Sequence, residues 1–189
     1  RPIGEPGIIS NTVKLYLVAP DITTQPVWVI LIQDTEQPVD EIDDTNIDYI
    51  INLSEMEAFD SDDNKIDQKG YASRSTLENY DILNLFDDSS DTIYHSDMGD
   101  VGPQWLWVKY NEHPTKIIIT NRESGFNWRI KGAKLYESRR EPTVGENGIL
   151  DLDSATLLYT FGIAETYNIP MVSTMVITAK GSETGTDIV

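Results

Sequence analysis

The chain has 189 residues, 39% of them apolar, and a formal net charge of −18. That length holds one large β domain, or an ordinary domain with an accessory region, and no apolar run reaches the roughly 18–20 residues that cross a bilayer. The absence of cysteine excludes disulfides and thiolate metal sites, and the acidity argues against nucleic acid or membrane insertion.

The charge is uneven. Residues 1–100 carry 22 of the 32 acidic side chains, whereas 109–140 hold 8 of the 14 basic ones against three acids. The acidic half reads as a solubility device, or as an exposed surface whose carboxylates gather counter-ions. No charged-then-apolar signal segment opens the chain. Arg1 rather than Met at the start fits a chain from which a leader has been removed. A cysteine-free chain of this size points toward a microbial or viral source.

In chain order, residues 12–18 alternate polar and apolar side chains, the pattern of a half-buried strand. Residues 27–32, Val-Trp-Val-Ile-Leu-Ile, form a continuous β-branched and aromatic run, which predicts a strand covered on both faces. An acidic stretch from 34 to 48 follows, and 49–53 read as a third strand. These three strands are expected to make a small N-terminal sheet or an added layer. Residues 60–67 turn polar and read as a linker. Their carboxylate spacing is that of a calcium loop, but Lys65 replaces the sharp-turn glycine and Tyr71 the bidentate glutamate, so an EF-hand is not expected.

Beyond the linker, residues 104–110, 116–120, 129–136, 155–161 and 170–179 are short, β-rich and bounded by Gly, Pro, Asn or Asp. That spacing predicts a sandwich or barrel. No stretch sustains a 3.6-residue period. Residues 75–86 alone suggest a helical turn or two, with Ser75 and Glu78 spaced as a capping box. The expected organisation is therefore an N-terminal β-rich accessory or assembly region at 1–61, a β-sandwich at 62–181 and a tail at 182–189.

One constellation is more specific. Lys-Gly-Tyr-Ala-Ser-Arg-Ser-Thr at 69–76 precedes Asn-Leu-Phe-Asp-Asp-Ser-Ser-Asp-Thr-Ile-Tyr-His-Ser at 84–96. Gln-Trp-Leu-Trp-Val at 104–108, Thr-Lys-Ile-Ile-Ile-Thr-Asn-Arg at 115–122 and Arg-Ile-Lys-Gly-Ala-Lys-Leu-Tyr-Glu-Ser at 129–138 follow. In order and spacing these pieces resemble the discoidin family, the coagulation-factor C-type domains, and within it the fucose-binding F-type lectins.

The resemblance implies an all-β jellyroll sandwich of the galactose-binding-like type, with Trp105 in the sandwich core and residues 129–136 in a strand pair. It also implies a calcium site in the turn, on Asn84, Asp87, Ser89 and Thr92; hard oxygen donors of that kind suit calcium. The family's later acidic ligand falls at Val176, which has no side-chain oxygen. An ion-free turn closed by Asp87 and Ser89 is the alternative. For a sugar, the resemblance implies His95 with Arg122 and Arg129, seven residues apart. Ser124, with Glu123 beside it, stands where the family has an acid. Arginine forks hold neutral hydroxyls with directed donors, and Tyr94, Phe126 and Trp128 are candidate stacking faces. The alternative is a fold-keeping role for Arg129 and a turn-capping role for His95.

Catalysis finds little footing: two histidines (His95, His113), no cysteine and no nucleophile-elbow motif. Asp151 and Asp153 can be imagined as a glycosidase pair, but two acids two residues apart on one strand share a face rather than flanking one bond, and no such pair is expected. Two functions remain. One is a non-catalytic, lectin-like glycan-binding module, extracellular, cell-surface or virion-exposed. The other is a structural or assembly protein that forms homo-oligomers or engages partners through residues 1–60, with 27–32 adding to a neighbour's sheet edge.

Overall fold

The computed structural model describes residues 25–35, 37–38, 47–100, 102–122, 125–163 and 165–171. The strands are β1 (Val27–Gln33), β2 (Gln37–Pro38), β3 (Ile47–Asp48), β4 (Asn52–Phe59), β5 (Lys65–Ile66) and β6 (Gly70–Ser73). They continue with β7 (Tyr94–His95), β8 (Gln104–Tyr110), β9 (Lys116–Asn121), β10 (Lys134–Ser138), β11 (Ala155–Thr160) and β12 (Thr166–Pro170). Two 3-10 segments, Ile82–Phe86 and Asn127–Ile130, interrupt them. One sheet runs β11-β10-β1-β8-β6 and a second β12-β9-β4-β5, with β7 also on β4; β2 and β3 form a short ribbon. Every strand pairing among the described residues is antiparallel. The fold is an all-β sandwich, as the strand spacing predicted.

Alternation builds the core. Val27, Val29 and Leu31 of β1, Leu106, Val108 and Tyr110 of β8, and Ile117 and Ile119 of β9 meet between the sheets. The intervening residues of β1 are buried as well: Trp28, Ile30 and Ile32 join Trp105 and Leu150 in a second cluster on the outer face of the first sheet. The run at 27–32 is thus covered on both faces, as expected, but in an antiparallel sheet. Trp105 belongs to that outer cluster rather than to the inter-sheet core. Its indole Nε1 donates to the Gly148 carbonyl at 2.8 Å, an outlet the apolar core would not offer.

A β-bulge in β4 decides where two glutamates go. Leu53 pairs with Asn121 and Glu55 with Thr120, so one extra residue, Ser54, is inserted. Leu53 before the bulge and Met56 and Ala58 after it all face the core. Strict alternation from Leu53 would instead bury Glu55 and Glu57 there. The extra residue reverses the phase, and Ser54 Oγ donates to the Asn121 carbonyl at 3.3 Å.

Several expectations change in three dimensions. Residues 27–33 and 52–59 are inner strands of the two sheets, not an added N-terminal layer, so the expected boundary at 61/62 runs through the sandwich. With β10 and β8 on either side, β1 has no edge to lend to a neighbour. Residues 60–64 are a hairpin turn rather than a linker: Asp60 Oδ1 accepts from the Asp62 and Asn64 amides, both at 2.8 Å, and Asp63 takes φ 64°. The 3-10 segment at 82–86 is capped by Asp81, whose Oδ1 accepts from the Leu83 amide. Ser75 instead donates to Gln104 Oε1 and accepts from the Asp97 amide, so the capping box does not form. Residues 129–132 are 3-10 and turn; the strand starts at Lys134. Gly132 is required there, since it takes φ +85° and a Cβ would sit 2.6 Å from Thr35 Oγ1. The expected strand at 12–18, most of 34–48, the strand beyond 171, Val176, Ser124 and the tail lie outside the described residues.

Leu31, fully buried in the central strand, sets a test of this core. Leu31→Ala should cost about 2–5 kcal/mol in denaturant unfolding, whereas Leu157→Ala on exposed β11 should stay within about 0.5 kcal/mol.

Candidate functional site

His95 ends β7, Arg122 follows β9, and the 3-10 segment Asn127–Ile130, with Phe126 at its N-cap, lies in the β9–β10 connection. Three residues separated by up to 34 positions are thereby gathered at one end of the sandwich. His95 and Arg129 form the floor, each 4% exposed. Arg129 Nη1 lies 3.2 Å from His95 Nε2, and His95 Nδ1 lies 2.6 Å from the Ser96 carbonyl.

Those two contacts fix the tautomer. A carbonyl only accepts, so Nδ1 carries the hydrogen; Nε2 then keeps a lone pair to accept from Arg129. Burial lowers the imidazole's affinity for a proton, and the Arg129 and Arg122 charges lower it further. His95 is therefore held neutral, and it orients Arg129 rather than facing solvent.

Above this floor lies an aromatic rim. Phe126, 36% exposed, has the Arg122 guanidinium 4.6 Å and the Arg129 guanidinium 4.4 Å from its ring centre. Arg129 also lies 5.6 Å from the half-buried Trp128 ring, whose Nε1 donates to the Gly125 carbonyl. Tyr80, which the sequence did not single out, places its ring 5.9 Å from His95. Cation–π contact of this kind steadies a guanidinium over the ring face. Tyr94 is not part of the rim. It is fully buried between the sheets, its hydroxyl donates to the Ser75 carbonyl at 2.8 Å, and burial pushes its phenol pKa up. Strand alternation explains the correction: His95 and Tyr94 are adjacent on β7, so they face opposite sides.

The turn at 87–92 closes on itself much as the sequence suggested. Asp87 Oδ1 accepts from the Ser89 amide at 3.1 Å, and Thr92 Oγ1 donates to Asp87 Oδ2 at 2.8 Å. Asn84 Nδ2 donates to the Ile93 carbonyl at 2.8 Å. A residue from outside the turn joins it: Glu55 Oε1 accepts from the same Ser89 amide at 2.7 Å. Glu55 is 7% exposed, and its carboxyl also lies within hydrogen-bonding reach of the Asp87 carboxyl. Burial, and then the neighbouring Asp87 carboxyl, push its pKa up to about 7, against the pull of the Ser89 amide. No cluster of three or more His, Cys, Asp or Glu occurs among the described residues. Two carboxylates with hydroxyl and carbonyl oxygens are nonetheless a donor set whose chemistry fits calcium.

Away from this end, Arg140, Glu141, Thr143, Asp151, Asp153 and Ser154 line a polar cleft of about 380 Å³. Asp151 and Asp153 lie outside the strands, with the Asp153 amide donating to Asp151 Oδ1. Comparison with protein-family models, with curated proteins and with solved structures finds no match to this chain.

The neutral His95 gives a signed pH dependence. Its folded pKa lies below the ordinary 6.5, so the unfolded chain binds the proton first, and stability present above pH 6.5 is lost as pH falls through the folded value. NMR titration should find the His95 ring neutral well below pH 6.5, and His95→Gln should flatten that part of the stability profile.

Proposed function

We propose that this chain is a non-catalytic, lectin-like carbohydrate-binding module of the discoidin type, a galactose-binding-like jellyroll nearest to the F-type lectins. The observation that supports it is the convergence of His95, Arg122 and Arg129 beneath exposed aromatic faces. Arg122 presents donors to neutral hydroxyls, and Arg129, oriented by His95, supports the Phe126 ring from within. Phe126, Trp128 and Tyr80 offer flat apolar surface to the C–H face of a sugar ring. In this reading calcium in the 84–92 turn stiffens the neighbouring connection rather than touching the sugar. The setting is a cell surface, virion or extracellular space.

A second reading, a structural or assembly role, rests on a different observation. Strand β11, at the edge of its sheet among the described residues, exposes Leu157 (51%) and Tyr159 (39%), with Ile163 (54%) just beyond. An apolar sheet edge of this kind adds strands from a second chain. This replaces residues 27–32, which have no open edge.

Glycan-array and calorimetric binding separate the two. Arg122→Ala should weaken glycan binding by about tenfold or more, the loss of one or two charge-assisted hydrogen bonds, with the melting temperature unchanged. Absence of any glycan binding by the intact chain, together with dimers dispersed by Tyr159→Lys, would decide for assembly.

A further inference from the structure

We propose that Asn147 is a site of spontaneous covalent modification: its side chain cyclises onto the Gly148 main-chain nitrogen, and water opens the ring to aspartate or isoaspartate at position 147. The inference goes beyond the glycan reading and involves no residue of that site.

Sequence and turn geometry single out this asparagine. Of all the asparagines in the chain, only Asn147 precedes a glycine; every other one precedes a residue whose side chain crowds the following amide. The pair sits at the tip of a small hairpin. Val144 bridges to Leu150, the Gly145 amide donates to the Ile149 carbonyl at 2.8 Å, and Gly148 takes φ +70°. A glycine with positive φ after asparagine closes a tight hairpin loop, and here it leaves Asn147 exposed. The Gly148 amide donates to the Gly145 carbonyl at 3.0 Å. Local opening of that bond at an exposed tip frees the attacking nitrogen.

The chemistry balances with water as the one co-reactant. A bond forms between Gly148 N and Asn147 Cγ. The Cγ–Nδ2 bond breaks, and the side-chain nitrogen leaves as ammonia with the proton of the Gly148 amide. Hydrolysis of the cyclic imide at Cγ gives aspartate with the backbone unchanged. Hydrolysis at the main-chain carbonyl carbon gives isoaspartate, whose backbone runs through Cγ and is one methylene longer.

The consequence depends on what Gly148 holds. Its carbonyl accepts from Trp105 Nε1 at 2.8 Å and from Arg74 Nη1 at 3.1 Å, and the Asn147 carbonyl lies 3.4 Å from the same Arg74 nitrogen. Leu150, just beyond, packs with Trp28, Ile30, Ile32 and Trp105. A lengthened backbone displaces the Gly148 carbonyl and leaves the Trp105 N–H without its acceptor, whereas aspartate keeps both contacts. Isoaspartate therefore loosens the cover on the outer face of β1, and does so irreversibly.

The test is incubation of the full chain in mildly alkaline buffer at physiological temperature, followed by peptide mass spectrometry with fragmentation that separates isoaspartate from aspartate. Asn147 should be converted ahead of every other asparagine, and the product should elute as a more acidic species on ion exchange. The separated isoaspartate form should melt about 2–6 °C lower than the intact chain, the loss of one or two hydrogen bonds, with its tryptophan emission shifted to the red. Asn147→Asp should melt as the intact chain does, which assigns the loss to the backbone rather than to the added charge. Asn147→Gln, whose longer side chain closes a ring less readily, should fold and stay unmodified. An Asn147 that persists in the folded chain overturns the proposal, all the more where the urea-unfolded chain loses it. An isoaspartate form that melts with the intact chain overturns the consequence assigned to the Gly148 carbonyl.

Discussion

Burial of β1 on both faces is the constraint around which the rest of the molecule is arranged. Its inward residues, Val27, Val29 and Leu31, need the second sheet against them, and its outward residues, Trp28, Ile30 and Ile32, need a second cover. Leu150 packs on the outer cluster, and partly buried Leu152 and Ala155 lie against it. Polar contacts hold the covering segment down. Arg74 grips Asp100 at 2.8 Å and donates to the Gly148 carbonyl at 3.1 Å, which also accepts from Trp105. Apolar area supplies the drive; the arginine and indole supply register.

With that frame fixed, the loop end inherits its geometry. The β9–β10 connection crosses from one sheet to the other, and Gln33 at the end of β1 donates to the Arg129 carbonyl at 2.7 Å. The same buried strand that anchors the core thus holds the backbone of a site residue, while His95 holds its side chain. A guanidinium fixed at both ends loses little freedom on meeting a ligand, which is the advantage of preorganisation. The bulge in β4 works in the same way for Glu55: one inserted residue converts a core clash into a carboxylate aimed at the turn.

Much was legible from residues alone. Short β-rich runs separated by turn formers gave the all-β class, and the unbroken apolar run at 27–32 gave a strand covered on both sides. Sequence also named His95, Arg122 and Arg129 together, through resemblance to a motif. It could not tell that His95 would be consumed in holding Arg129, nor that Tyr94 would face inward. Both depend on which side of β7 faces the core, and a two-residue strand carries no pattern from which to read that. Glu55 gave no signal at all, since its relation to Asp87 spans 32 positions and runs through a bulge that alternation does not predict.

The amino-acid order by itself determined the kind of layer this chain builds, because side-chain alternation and turn chemistry act between near neighbours. Only the tertiary structure decided that residues 27–33 and 52–59 are the hearts of the two sheets rather than an accessory layer, and which polar groups end up facing one another. Strand order and sheet phase are set by long-range pairing, where many partners have similar local preferences and the choice falls to whichever arrangement covers every apolar face at once.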